Sequence, residues 1–149
     1  MQISKLALIT ISVLSGCTEQ DQTVKGVDDY KAEAVAVVVA YDVPNSMELV
    51  GDDSVVFVDV REGDELAEHG KIQGAVHVPR GVLEFYIDPK SSYHMDIFSS
   101  GKKLIFYCET GGRSLLAAKL ALDMGVEDAV YLDGGFKAWA EADGATAPQ

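Results

Sequence analysis

The sequence predicts an α/β fold, a parallel sheet with helices on both faces. Three observations lead there. Val55-Val56-Phe57-Val58-Asp59 and Lys103-Leu104-Ile105-Phe106-Tyr107 are continuous apolar runs, not alternating ones, as expected of strands covered on both sides. Strand-like runs alternate along the chain with helix-like segments, the spacing of parallel crossover units. The 149 residues, 48% hydrophobic and 24% charged, suffice for one sizeable core.

The elements follow in order. Asp28 and Asp29 are candidate N-caps for a short helix over Tyr30–Ala36, and Val37–Tyr41 reads as a first strand. Pro44 suits the first turn of a helix over Asn45–Val50. Val55–Asp59 is a buried strand, followed by a helix over Glu62–His69 that Gly70 stops. Ala75–Val78 is another strand, ended by Pro79, and Val82–Ile87 is amphipathic and helical. After a loop through Asp88–Ser92 comes the most hydrophobic strand, Lys103–Tyr107. Ser114–Met124 is the best helix, with Leu115, Ala118 and Leu122 on one side and Gly125 at its end. Ala129–Leu132 is the last strand, Phe136–Ala142 a terminal helix, and residues 143–149 are expected to fray. The domain is thus expected over residues 30–142.

The first residues form a separate element. Lys5 precedes the apolar run Leu6–Leu14, which closes on the small residues Ser15-Gly16, the pattern of a secretory signal. The run is shorter than the roughly 20 apolar residues that a membrane span needs. Leu14-Ser15-Gly16-Cys17 resembles the bacterial lipobox, in which cleavage exposes a cysteine for lipidation. The resemblance implies a signal peptide over residues 1–16, lipidation of Cys17, and a flexible tether over residues 17–29. It also implies an exported protein anchored on the periplasmic side of a membrane, with Thr18 pointing to the outer membrane in a cell that has two.

Composition narrows the function classes. A net charge of −12 without any Lys/Arg cluster argues against a nucleic-acid partner. Only two cysteines occur, so lipidation of Cys17 leaves Cys108 as the sole free thiol. A Cys17–Cys108 disulfide would require the tether to fold back onto the domain. Three scattered histidines and no second free cysteine give no metal site and no cofactor site.

In parallel sheets, sites form at the carboxyl ends of the strands. Asp59, Val78-Pro79, Cys108 and Asp133-Gly134 fall on that rim. Cys108-Glu109-Thr110-Gly111-Gly112-Arg113-Ser114 follows the central strand and opens the best helix. The glycines allow successive backbone N–H groups to turn inward, and the helix N-terminus adds partial positive charge. Such a loop favours a thiolate at Cys108 and would equally stabilise a persulfide anion or a bound oxyanion. Arg113 can tie the loop or face an anion, and Ser114 can cap the helix. A turn beneath a buried strand-end cysteine would look similar but would need no Gly-rich loop ahead of a helix.

Four motifs now stand in order: Val58-Asp59-Val60-Arg61-Glu62, the stretch His69-Gly70-Lys71-Ile72-Gln73-Gly74-Ala75 to Pro79, the Cys108 loop, and Gly134-Gly135-Phe136-Lys137-Ala138-Trp139. Together they resemble the rhodanese-like domain over about residues 32–142. The resemblance implies a five-stranded parallel sheet with helices on both faces. It implies that Cys108 accepts a sulfane sulfur from a small donor (thiosulfate, persulfide or polysulfide) and passes it to a thiol or cyanide-like acceptor. It casts residues 109–114 as the substrate-binding loop, with Asp59 and Arg61 as supports. A non-catalytic rhodanese-like binding module is the alternative, which the presence of Cys108 disfavours. Cysteine phosphatases and arsenate reductases of similar architecture use Cys-x5-Arg, whereas Cys108 to Arg113 is Cys-x4-Arg, a smaller loop suited to a terminal sulfur.

The remaining residues read mostly as structural. His69 and His77 are expected in supporting roles, His94 simply exposed in a polar loop, and Trp139 a core anchor. Glu109, next to Cys108, should oppose a dianionic donor, with Arg80 and Lys90 as candidates to offset it.

Overall fold

The computed structural model describes residues 24–149. The expected signal segment, Cys17 and the first part of the tether lie outside the described residues. Strands β1 (Ala40–Tyr41), β2 (Val55–Asp59), β4 (Val76–His77), β5 (Lys103–Tyr107) and β6 (Ala129–Leu132) form one five-stranded sheet. Its order is β1-β6-β5-β2-β4, and every pairing is parallel. Strand β3 (Lys71–Ile72) pairs antiparallel with β7 (Thr146–Ala147) in a separate ribbon.

Side-chain alternation along the central strands divides the core in two. Val58, Leu104 and Phe106 face one layer, where they pack with helix α1 (Val27–Val35), helix α4 (Leu83–Ile87) and the apolar face of α5 (Gly112–Asp123). Phe57, Ile105 and Tyr107 face the other, with α2 (Val43–Met47) and α6 (Gly135–Glu141). Both faces of β5 are fully buried, which is why its sequence is apolar without alternation. Each such side chain contributes about 1.5–3 kcal/mol by leaving water. Helix α3 (Gly63–His69) follows β2 and ends at Gly70, whose φ of 71° suits glycine.

Several boundaries differ from expectation. The first helix starts at Val27, inside the expected tether, with Gly26 as its N-cap. Asp29 instead accepts from the Gly26 N–H at 2.8 Å, reaching back from the third helical position. The first strand shrinks to two residues because the N–H groups of Val37 and Val38 both return to the Ala34 carbonyl, extending the helix end. Helix α2 begins earlier than expected, at Val43, because Asp42 caps it by accepting from the Asn45 N–H at 2.8 Å. A 3-10 turn over Arg80–Val82 leads into α4.

The tail after Ala142 is docked, not frayed. Ala145 accepts from the Trp139 indole N–H at 3.2 Å and from the Gln73 N–H at 3.0 Å, and Thr146 pairs with Ile72. Gly144 lies so close to Trp139 that a Cβ would sit 2.3 Å from the indole nitrogen. Trp139 is the buried anchor expected, and it also holds the chain end.

Candidate functional site

Because all five sheet strands run the same way, β2, β5 and β6 end on one rim. Cys108 follows β5 directly and is buried, and the backbone N–H of Gly111 donates to its Sγ at 3.2 Å. That bond requires the chain to curl back within three residues. Gly111 makes the bend with a φ of 96°, a conformation open to glycine at little cost. Helix α5 starts immediately, at Gly112. Ser114, expected as its cap, does a different job: its hydroxyl donates to the Gly111 carbonyl at 3.0 Å and closes the turn. The N–H groups of Glu109, Thr110, Gly112 and Arg113 meet no acceptor among the described residues, so they remain available to an anion at the mouth.

The loop is held from outside by α6. The Phe136 N–H donates to the Cys108 carbonyl at 2.7 Å, and the Lys137 N–H to the Glu109 carbonyl at 3.0 Å. A trans peptide directs N–H opposite to C=O, so both bonds turn the N–H groups of Glu109 and Thr110 away from α6. Gly135 makes this approach feasible, since a Cβ there would lie 2.4 Å from the Cys108 oxygen.

Arg61 is the buried strut beneath the loop. Its Nε and Nη2 donate to Asp59 at 3.0 and 2.7 Å, and Nη2 also donates to the Gly70 carbonyl at 2.7 Å. The guanidinium lies 4.1 Å from the Phe136 ring centroid, a cation–π contact in a dry setting. Its Nη1 faces Glu109 at 3.5 Å. The pairing of Asp59 and Arg61 is therefore local, as expected, but Arg61 also links β2 to the Gly70 turn and the Cys108 loop. Tyr107 accepts from the Ile72 N–H at 3.1 Å, and burial beside Asp59 pushes its hydroxyl well above the usual phenol range.

Arg113 ties the loop instead of facing an anion. Its two terminal nitrogens donate to Glu65 at 2.7 and 2.6 Å, a bidentate fork. These hydrogen bonds pull the Glu65 carboxyl down to about 2. No local signal in the sequence marks Glu65 as a partner of Arg113, because it stands three residues after Glu62, a position that suits a helix-cap acid. It does accept from the Glu62 N–H at 2.9 Å, while also reaching Arg113. Gly135, Phe136 and Lys137 grip the loop carbonyls through their backbone, a role that side-chain identity in the fourth motif does not display.

His77 Nε2 donates to the Arg61 carbonyl at 2.9 Å, while His69 lies half exposed near Glu68 on a cleft that Glu109, Phe136 and Lys137 also line. His94 is not simply exposed: its Nδ1 donates to the Tyr86 carbonyl at 3.1 Å, and Nε2 lies 3.1 Å from the Ser99 hydroxyl. Arg80 pairs with Glu84 at 3.4 Å and makes no ion pair with Glu109. Among the described residues no group of His, Cys, Asp and Glu is arranged to hold a metal.

The sequence matches the rhodanese-like domain family over residues 46–142. The chain belongs to that family. This rhodanese-like chain is 35% identical over 89 residues to the thiosulfate sulfurtransferase GlpE of Shewanella oneidensis, covering 60% of this chain and 79% of that one. It is 30% identical over 96 residues to a mouse thiosulfate sulfurtransferase/rhodanese-like domain-containing protein, an alignment spanning 61% of each. Among solved structures, a Rhodopseudomonas palustris protein of unknown function, named a possible tyrosine phosphatase, superposes with a TM-score of 0.81 at 40% identity, covering 85% of this chain and 98% of its own. The human single-domain sulfurtransferase gives 0.56 at 28% identity, covering 68% and 95%. The five-stranded parallel sheet is the rhodanese fold that the four motifs implied.

Proposed function

We propose that this rhodanese-like protein is a sulfurtransferase that carries a sulfane sulfur as a persulfide on Cys108. The observation that carries the reading is the Cys108 loop itself. A buried sulfur receives one N–H bond, other N–H groups of the loop have no acceptor, and among the described residues no side-chain base is hydrogen-bonded to the sulfur. Thiolate-to-sulfur exchange needs donors around sulfur and no general base once the thiolate exists.

In the first half-reaction the Cys108 thiolate attacks the outer sulfur of the donor. A new S–S bond forms at Cys108, the donor's own bond to that sulfur breaks, and its electron pair leaves on sulfite (from thiosulfate) or on a thiolate (from a persulfide). In the second, an acceptor thiolate attacks the outer sulfur of the Cys108 persulfide. The sulfur departs on the acceptor and Cys108 returns as thiolate, so no net oxidant or reductant is consumed. The names of the Shewanella and human relatives support this class of reaction.

Phosphatase chemistry is the second reading, because the Rhodopseudomonas relative bears that name. Arg113 argues against it: both of its terminal nitrogens are taken by Glu65, and the loop has four residues between Cys108 and Arg113. Assays of wild type and Cys108→Ser with sulfane-sulfur donors and with an aryl phosphate separate the two. Sulfur transfer that Cys108→Ser abolishes supports the proposal, and Cys108-dependent phosphate release without sulfur transfer overturns it. We also propose export and membrane anchoring through lipidated Cys17, supported by the residue pattern that ends at Cys17.

A further inference from the structure

Exposed apolar side chains are confined to one side of the domain. Among the described residues, every large hydrophobic side chain open to solvent lies between Val24 and Val39, between Val82 and Tyr93, or at Met124. None belongs to α2, α3 or α6. These segments form or flank the layer of α1, α4 and α5 on one face of the sheet. Tyr30 of α1 and Arg80 share a hollow with Leu116 and Leu120 of α5. Just beyond Arg80, Val82 and Phe85 line a second hollow with Tyr86 and Tyr93. Phe85 is 58% exposed and Tyr93 62%, so both rings stand largely in water. Apolar groups gathered on one side in this way mark a contact surface.

Charge is distributed to match. Residues 24–39, 80–93 and 114–124 carry five cations and six acids, whereas the rest of the described chain carries six and sixteen. The apolar side is thus close to neutral and the remainder strongly acidic. A surface bearing anionic groups repels the remainder and admits only this side. The chain ahead of Val24 indicates which surface that is. Cys17, the proposed site of lipidation, stands seven residues before Val24, and seven residues span at most about 25 Å. Val24 leads directly into α1, whose Val27 and Tyr30 belong to the exposed apolar set. A lipid on Cys17 therefore holds α1 close to the bilayer, where contacts too weak to act alone become intramolecular.

We propose that the side built by α1 and α4, with Tyr30, Val82, Phe85 and Tyr93, docks on the surface of the lipid bilayer. Its aromatic rings seat among the headgroups, where amphipathic rings are favoured. The proposal rests on the anchoring reading and names the face that the anchor presents. Lys31 lies beside Gly112 at the end of the Cys108 loop, so the docked side extends to the lip of that loop.

The test reads contact with lipid by fluorescence. Full-length protein from the membranes of its native host carries Phe85→Trp or, as a control on the opposite side, Ala140→Trp in α6. Each variant is reconstituted in phosphatidylethanolamine and phosphatidylglycerol vesicles whose acyl chains carry bromine, which quenches only indoles near it. Trp139 is buried and gives both variants the same background. Relative to unbrominated vesicles, the added emission of Phe85→Trp should fall about twofold or more, and that of Ala140→Trp should not change. No quenching in Phe85→Trp, or equal quenching in both, overturns the proposal. Should Phe85→Trp not fold, Tyr93→Trp takes its place with the same expectation. A dimer that Phe85→Asp converts to monomer, with no quenching at either position, assigns the face to a second copy and also overturns it. If mass analysis finds Cys17 without lipid, the anchoring reading fails on its own. The face is then tested in the Cys108→Ser chain, joined through Cys17 to a maleimide-headgroup lipid. Quenching confined to Phe85→Trp in that chain sustains the docking face, and its absence overturns it.

Discussion

The Cys108 carbonyl accepts the Phe136 N–H at 2.7 Å, so the residue at the end of β5 is fastened by the helix that begins 27 residues further along the chain. The contact joins the ends of two neighbouring strands, β5 and β6, across the rim. Gly135 permits it, with a φ of 63° and no room for a Cβ. Gly135→Ala should therefore damage the site and the fold together. Backbone strain of this kind costs about 1–3 kcal/mol, and the clash with the Cys108 oxygen adds to it. Urea denaturation gives the stability loss, and the rate of Cys108 modification should change in the same variant. A variant as stable and as reactive as wild type would show that the carbonyl grip is dispensable.

Arg61 and Asp59 form a buried ion pair with both side chains fully sequestered. Removing one partner leaves an uncompensated charge, which costs about 3–5 kcal/mol. Arg61→Ala should fall in that range by chemical denaturation. Arg61→Ala combined with Asp59→Ala should lose less than the sum of the two single changes, since neither charge is then left alone. Strict additivity in that cycle would mean that the pair is not coupled.

Glu65 gives the fold a measurable pH dependence. Its carboxyl is held at about 2 in the folded state against an ordinary 4.5, chiefly by the hydrogen bonds from Arg113. The folded state therefore binds this proton less readily than the unfolded chain. The resulting stabilisation is present in full above the unfolded value and is lost as pH falls from about 4.5 toward 2. Glu65→Gln lacks this contribution, so its stability should fall less steeply than that of wild type across the same window. Parallel curves in urea titrations at several pH values would contradict the pairing.

The reading of Cys17 makes a separate demand. Cys17→Ser should abolish fatty-acid labelling and membrane fractionation in the native host while leaving the domain folded. One acyl chain binds a membrane marginally, whereas several anchor firmly. Wild type recovered without lipid would remove the anchor from the account.

How much of this was legible in the sequence depended on distance along the chain. Strand β5, Cys108, the glycines and α5 are covalent neighbours, and their order already describes a nucleophile at a strand end ahead of a helix. Asp59 and Arg61 are two residues apart, so their pairing could be expected, but the burial of Arg61 beneath the loop could not: a lone arginine ordinarily reads as exposed. Glu65 and Arg113 lie 48 residues apart and meet only after the sheet is assembled. Glu65 also caps its own helix by accepting from the Glu62 N–H, a local role that gives no sign of a distant partner. The tail failed for another reason. Thr146–Ala147 is too short to show any periodicity, and what docks it is the Trp139 indole N–H seeking an acceptor in a buried setting.

The proposed chemistry places sulfur covalently on Cys108 between donor and acceptor. Intact-mass analysis of the full-length protein after brief exposure to a sulfane-sulfur donor, with peptide mapping to separate Cys108 from Cys17, tests it most directly. The expected result is one added sulfur atom on Cys108, its loss on addition of an acceptor thiol, and no adduct in Cys108→Ser. An unmodified Cys108, or an adduct that an acceptor thiol cannot discharge, would contradict it.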